Sequence, residues 1–215
     1  MLQLNKIKSQ ASPYWDSLVR VYHASFPIDE QRPIENMLHL IGHDERFVAY
    51  AIVNDNDNED DNEDDNEDDN EDDNEDCHPD GRLSSLISQL STQRPPIGLL
   101  TTWHFKDFIY IEHFAIAPTL RSQGHGTQAL QAFIKEHGKP IILEAEPPTD
   151  EQSIRRIRFY ERCGLTLYDH PYIQPAYTPT SNPVPLRLMG TIDTKSTSLT
   201  LVSDTLHREV YGVKI

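Results

Sequence analysis

The sequence predicts an α/β (α+β) domain interrupted by an acidic insertion, and three observations lead there. Residues 108–134 read as a strand, a glycine turn and a helix start, in that order. Strands and helices elsewhere follow an irregular order that regular doubly wound folds lack. The charge is also segregated. Of 35 Asp and Glu, 16 lie between Asp55 and Asp76, leaving 19 acids against 19 Lys and Arg. The net charge of −16 therefore belongs to one stretch, and the rest of the 215 residues is a neutral body with room for one sizeable core. A neutral body gives no case for a nucleic-acid-binding domain.

Taken in order, Leu2, Leu4 and Ile7 suggest a short first strand. Residues 13–26 read as a helix, with Ser12 as N-cap, Pro13 at the first helical position, and an apolar stripe of Trp15, Leu18, Val19, Tyr22 and Phe26. Pro27 to Pro33 interrupts it, residues 34–41 form a second short helix, and residues 47–53 a strand. From Asn58 an Asn-Glu-Asp-Asp unit repeats four times and breaks off at Asp76. Like charges four apart repel on a helix, and nothing there is apolar, so residues 55–96 are expected to be a largely disordered acidic insertion. Asp55, Asp57 and Glu59 alternate as in a calcium loop, but Asp60 stands where the sharp turn needs glycine. Cys77 and His78 are too few for zinc. No metal is expected. A marginal helix is read over residues 81–94.

Strand character returns over 97–105 and 108–116, then over 141–145. Thr149-Asp150-Glu151-Gln152 has capping-box spacing and opens a helix that Gly164 ends. Residues 165–168 read as a strand, a loop rich in proline and tyrosine follows, and residues 186–189 form the last strand. Leu206, Val210 and Val213 suggest a C-terminal amphipathic helix capped by Ser203. Two cysteines, no signal-peptide h-region and no run of about 20 apolar residues lead to the expectation of a soluble cytoplasmic protein without membrane partners. A monomer or homodimer is expected.

The turn reads Arg121-Ser122-Gln123-Gly124-His125-Gly126. Glycines there let the main chain approach a ligand closely, and the N–H groups of the helix start lack internal partners. No Lys-Ser or Lys-Thr follows the second glycine, which excludes a Walker loop, and the G-x-G-x-x-G dinucleotide pattern is absent. In its strand-and-helix setting the turn resembles the acyl-CoA signature [Q/R]-x-x-G-x-[G/A] of the GCN5-related N-acetyltransferase (GNAT) superfamily. Phe159-Tyr160-Glu161-Arg162-Cys163-Gly164-Leu165 resembles its F-Y-x-x-x-G-F segment. The element order agrees with that fold from about Leu2 to Met189. The resemblance implies a GNAT acyl-CoA N-acyltransferase fold, with helices on both faces of a mixed central sheet and splayed strands at the cofactor site. The domain would comprise residues 1–54 and 97–190, with 191–215 as a C-terminal extension.

The same resemblance implies an N-acetyltransferase, an acyltransferase moving groups other than aminoacyl groups, with acetyl-CoA as cofactor. The backbone of Phe114, Ala115 and Ile116 would hold pantetheine. Arg121, Ser122, Gln123, Gly124, His125, Gly126 and Thr127 would hold the pyrophosphate. Ser153 stands where the family often has asparagine. Tyr160 would give its proton to the thiolate, its ordinary pKa lying about 1.5 above that of a thiol. Tyr110, Glu112 and Phe114 alternate onto one strand face, with His113 on the other. Glu112 is the first candidate for base, or for a carboxylate that only binds a cationic acceptor; Glu146 is the second. Phe26, Glu30 and Arg32 on one side, with Tyr172, Gln174 and Tyr177 on the other, are the expected acceptor pocket. It suits a small-molecule amine, an amino acid or a peptide end. Cys163 has no basic partner in the sequence, which favours direct transfer in a ternary complex over an acyl-cysteine. The alternative is a catalytically silent acyl-CoA-binding or sensor domain on the same fold.

Overall fold

The computed structural model describes residues 2–54 and 94–214. Seven strands form one sheet in the order β1-β2-β3-β4-β5-β7-β6. They are β1 (Leu2–Ile7), β2 (Phe47–Asn54), β3 (Gly98–His104), β4 (Ile109–Ile116), β5 (Ile141–Ala145), β6 (Thr166–Gln174) and β7 (Val184–Gly190). The helices are α1 (Trp15–Ser25), α2 (Ile34–His43), α3 (His125–His137), α4 (Glu151–Arg162) and α5 (Leu199–Thr205), which runs into a π-helical turn, Leu206–Val210. The first four strands form an antiparallel meander.

Alternation of side chains divides the core into two layers. On one face Leu18 and Tyr22 of α1, Met37 of α2 and Val202 of α5 pack against Ala49, Trp103, Tyr110 and Ile142. On the other, Leu130 and Phe133 of α3 and Ile157 and Tyr160 of α4 pack against Leu100, Ile111 and Leu143. The expected mixed sheet with helices on both faces is what forms.

Between β4 and β5 the parallel ladder has three pairs and ends at Ile111↔Leu143. Both strands continue past it, so they splay. Glu112 and Glu144 are the first residues beyond the last pair, one on each side of the opening. Residues 55–93, with the expected insertion and the helix read at 81–94, lie outside the described residues except for Arg94. The flanks are fixed: Ile97 donates to Ile52 O (2.8 Å) and accepts from the Ala117 N–H (2.8 Å). The insertion therefore leaves the sheet beside the start of the glycine turn.

Several local expectations shift. Helix α1 starts at Trp15, with Ser12 and Pro13 in the turn before it. Helix α4 is capped by Asp150, whose carboxylate accepts from the N–H groups of Gln152 and Ser153, in place of Thr149. Helix α5 has Ser198 at its N-cap, and Ser203 is instead buried within it, its Oγ donating to Leu199 O. Strand β6 runs to Gln174, through a segment expected as loop. Its Pro171 donates nothing to a ladder, and the strand tolerates it as the edge of the sheet with a register shift at that point.

Candidate active site

The glycine-turn end of the site is built by backbone geometry. Gly124, with φ of 84°, turns the chain into α3 from the left-handed region, and Ser122 holds φ of 67°, a value non-glycine residues adopt only under constraint. The first bond inside α3 is Gln128 N–H to Gly124 O (3.1 Å). The N–H groups of His125, Gly126 and Thr127 are thus without helical acceptors, at the positive end of the helix dipole. Ser122, Gly124, His125, Gly126 and Thr127 line a cavity of about 630 Å³, and the buried His125 Nδ1 has no partner among the described residues. A pyrophosphate suits the three main-chain N–H groups of residues 125–127, so this end fits the nucleotide part of a coenzyme. Arg155, Arg156 and Arg162 of α4 line the same cavity. Arg121 also lines it while its guanidinium donates to Ile116 O (3.0 Å) and Ser25 Oγ (3.2 Å).

From there the cavity follows Phe114, Ala115 and Ile116 along the splay, with Phe159 and Tyr160 opposite. Burial pushes the Tyr160 phenol up to about 12. Two residues expected at the coenzyme are not on the wall, Gln123 and Ser153. The Ser153 hydroxyl is used within the helix cap, donating to Asp150 O (2.9 Å) and accepting from Asp150 N–H (3.2 Å).

At the far end the structure departs from the expected parity. Thr101 pairs with His113 and Thr102 with Ile111, so Glu112 is an extra residue, a β-bulge. The bulge turns His113 to the same face as Glu112. His113 is buried against Tyr22, Thr101 and the Glu30 carbonyl at 3.0–3.1 Å, and burial holds its pKa down. Phe114 is left on the opposite face, stacked on Phe159.

Glu112 is saturated. Its side chain has no exposed surface and accepts from Arg32 (2.7 and 2.8 Å), Tyr177 Oη (2.8 Å) and Trp103 Nε1 (3.0 Å). Burial alone would raise its pKa, but the Arg32 charge and these donors hold it below the usual carboxylate range. Arg32 also donates to Val210 O (3.0 Å) and lies under the Tyr177 ring. Arg32 and Tyr177, expected in the acceptor pocket, form the wall behind it. Tyr172 likewise stands behind the lining, while Phe26, Glu30, Glu146 and Gln174 line the cavity itself.

The carboxylate with unusual chemistry is Glu144, on the same strand face as Glu146. Tyr172 Oη hydrogen-bonds it, Tyr211 Oη lies 3.0 and 3.1 Å from its two oxygens, and Tyr110 Oη is 2.9 Å from Tyr211 Oη. Burial raises its pKa to about 7, against the lowering effect of the phenols. Glu146 is paired with Arg156. A signal for Glu144 existed: a carboxylate inside the apolar run Ile141–Ala145 must find polar partners. Tyr211, remote in sequence, carried none.

Cys163 is buried, and burial raises its thiol pKa. Among the described residues no cluster of His, Cys, Asp and Glu suits a metal, and no helix is long and apolar enough to cross a membrane.

Comparison with known proteins agrees with this geometry. The model of the Acetyltransferase (GNAT) family matches residues 9–165. A structure from Bacteroides thetaiotaomicron, provisionally named as a GNAT-family acetyltransferase, superposes with a TM-score of 0.76 at 28% identity, covering 99% of both chains. Arabidopsis thaliana NAA60 in complex with acetyl-CoA shares the fold, with a TM-score of 0.54 at 12% identity over 89% of this chain and 98% of that one. The provisionally named acetyltransferase YjbC of Bacillus subtilis (strain 168) is 37% identical over 60 residues, 27% of this chain and 31% of that protein's length. With its glycine turn, splayed β4 and β5 and family match over most of its length, the chain belongs to the GNAT acetyltransferase family, whose acetyl donor is acetyl-CoA.

Proposed function

We propose that the protein transfers the acetyl group of acetyl-CoA directly to a primary amine bound beside Glu144. The observation that carries this reading is one cavity that runs from the free N–H groups of α3 to a carboxylate that titrates near neutrality, with the Tyr160 phenol on its wall. The coenzyme supplies an activated acetyl thioester. The N–H groups of residues 125–127 hold its pyrophosphate, and the β4 backbone beyond the last ladder pair aligns its pantetheine arm.

Amine attack needs a proton acceptor, and Glu144, held only by phenols among the described residues and raised to about 7, suits that role better than Glu112, which is locked by the Arg32 charge, Trp103 and Tyr177. The nitrogen–carbon bond forms as the carbon–sulfur bond breaks; Glu144 takes the amine proton, and the sulfur is met by the Tyr160 hydroxyl. A phenol at about 12 is a poorer proton source than its ordinary value suggested. Tyr160 therefore acts first as a hydrogen-bond donor to the departing sulfur, with the proton following as the dry surroundings raise the thiol's own pKa. The raised pKa of the buried Cys163 supports transfer without an acyl-cysteine.

Thiol release from acetyl-CoA with a panel of amines tests the reading. Coenzyme binding without release for any amine would leave only a silent acyl-CoA-binding domain. Tyr160→Phe should lower kcat by about 10- to 100-fold, the effect of one hydrogen bond to a charged group, and leave coenzyme affinity within about twofold. Isothermal calorimetry with steady-state kinetics checks both halves; an unchanged kcat would remove Tyr160 from the chemistry.

The acidic insertion begins and ends beside the coenzyme turn. Its 16 carboxylates should repel the anionic nucleotide, with screening over about 8 Å at physiological salt. Deleting residues 55–76 is expected to tighten coenzyme binding at low salt and change little at high salt. Titrations at two ionic strengths decide it, and equal affinities at low salt would end the idea.

A further inference from the structure

We infer that the amine acceptor carries a neutral amide next to its reacting nitrogen, held by the carboxamide of Gln174, as in a peptide N-terminus or an amino-acid amide. This rests on the acetyl-transfer reading and names the acceptor's class. Gln174 is 3% exposed and lines the cavity, yet its Nε2 is buried with no hydrogen-bond partner among the described residues. A buried donor left unpaired costs free energy that a ligand recovers by accepting from it.

Position ties this group to the chemistry. Gln174 is two residues along β6 from Tyr172, so both side chains share a face, about 6.6 Å apart along the strand. Tyr172 holds the Glu144 carboxylate. An amine at Glu144 therefore has the Gln174 carboxamide within one residue's reach.

The chemistry of the pair selects the ligand. A primary carboxamide presents one donor edge and one acceptor edge, whichever way round it lies, and another amide complements both. A free carboxylate at that spot would face the Glu144 carboxylate directly, while the nearby Arg156 is already paired with Glu146. A simple alkylamine or polyamine leaves Nε2 unpaired. Sites built to hydrogen-bond a substrate group discriminate strongly against analogues without it.

The test compares leucinamide, the tripeptide leucyl-alanyl-alanine, free leucine and 3-methylbutylamine as acceptors, with acetyl-CoA binding followed by calorimetry. The two amides should exceed leucine and 3-methylbutylamine by tenfold or more in kcat/KM, and the ratio of tripeptide to leucinamide tells a peptide source from a small-molecule one. Gln174→Leu should lower kcat/KM for the two amides at least tenfold more than for 3-methylbutylamine, removing the preference, while acetyl-CoA affinity holds; Gln174→Asn should restore part of it. Equal turnover of leucinamide and 3-methylbutylamine by the native protein overturns the inference, as does a Gln174→Leu effect equal on both. Coenzyme-bound protein that neither binds nor acetylates either amide overturns it as well. Failure to bind acetyl-CoA at all would instead sink the acetyl-transfer reading.

Discussion

Glu144→Gln is expected to lower kcat by about 10²- to 10⁴-fold, the usual worth of a positioned general base. Coenzyme affinity should hold, since the carboxylate lies at the acceptor end of the cavity. In the native protein kcat/KM should climb with pH through about 7 as Glu144 loses its proton, and the variant should lack that limb. Stability should move the other way. Burial raises Glu144 in the folded state from an ordinary 4.5 to about 7. Its contribution to folding is therefore complete below about 4.5 and is lost as pH rises through 7. Glu144→Gln should match the native melting temperature near pH 4.5 and exceed it at pH 8. An unchanged pH–rate profile in the variant would take the base role from Glu144.

Glu112→Ala should destabilise the fold by about 3–5 kcal/mol, because it strands the buried Arg32 charge and removes the acceptor of Trp103 Nε1 and Tyr177 Oη. For a chain of this size that is a fall of about 6–20 °C in melting temperature. Since folding lowers the Glu112 pKa, its contribution is present above the ordinary carboxylate range and fades as acid carries the pH through the lowered value. Replacing Arg32 and Glu112 together by Met and Leu should recover much of the loss, as apolar pairs of similar volume often do. A Glu112→Ala protein that melts within 2 °C of native but loses a thousandfold in kcat would make Glu112 the base after all.

These two residues show where the sequence was legible. The proposed coenzyme end is made of local features: a strand, glycines at fixed spacing, a helix start and the Phe159-Tyr160 segment. Local pattern found them, and the resemblance covered the same half. The family model stops at residue 165, before Tyr172, Gln174 and Tyr211. The surroundings of Glu112 and Glu144, at the proposed acceptor end, depend instead on two long-range events. One is a bulge that breaks the period-two rule at Glu112, for which a single sequence carries no mark. The other is the return of residues 206–211 across the sheet, which sets the Tyr211 phenol on Glu144. Pro171 hid the remainder of β6, because proline argues against a strand unless the strand is known to be an edge.

The reach of Arg32 from Glu112 to the Val210 carbonyl, with Tyr211 one residue on, has a consequence for how activity is lost and regained. Glu144, the proposed proton acceptor, is held by a short stretch clamped down by one guanidinium. In the proposed mechanism, lifting that stretch would admit water around Glu144, return the carboxylate toward ordinary acidity and stop transfer without touching the glycine turn at the opposite end. On the proposed reading, the two substrates would be held by separate parts of the chain, with a latch on the part that takes the amine.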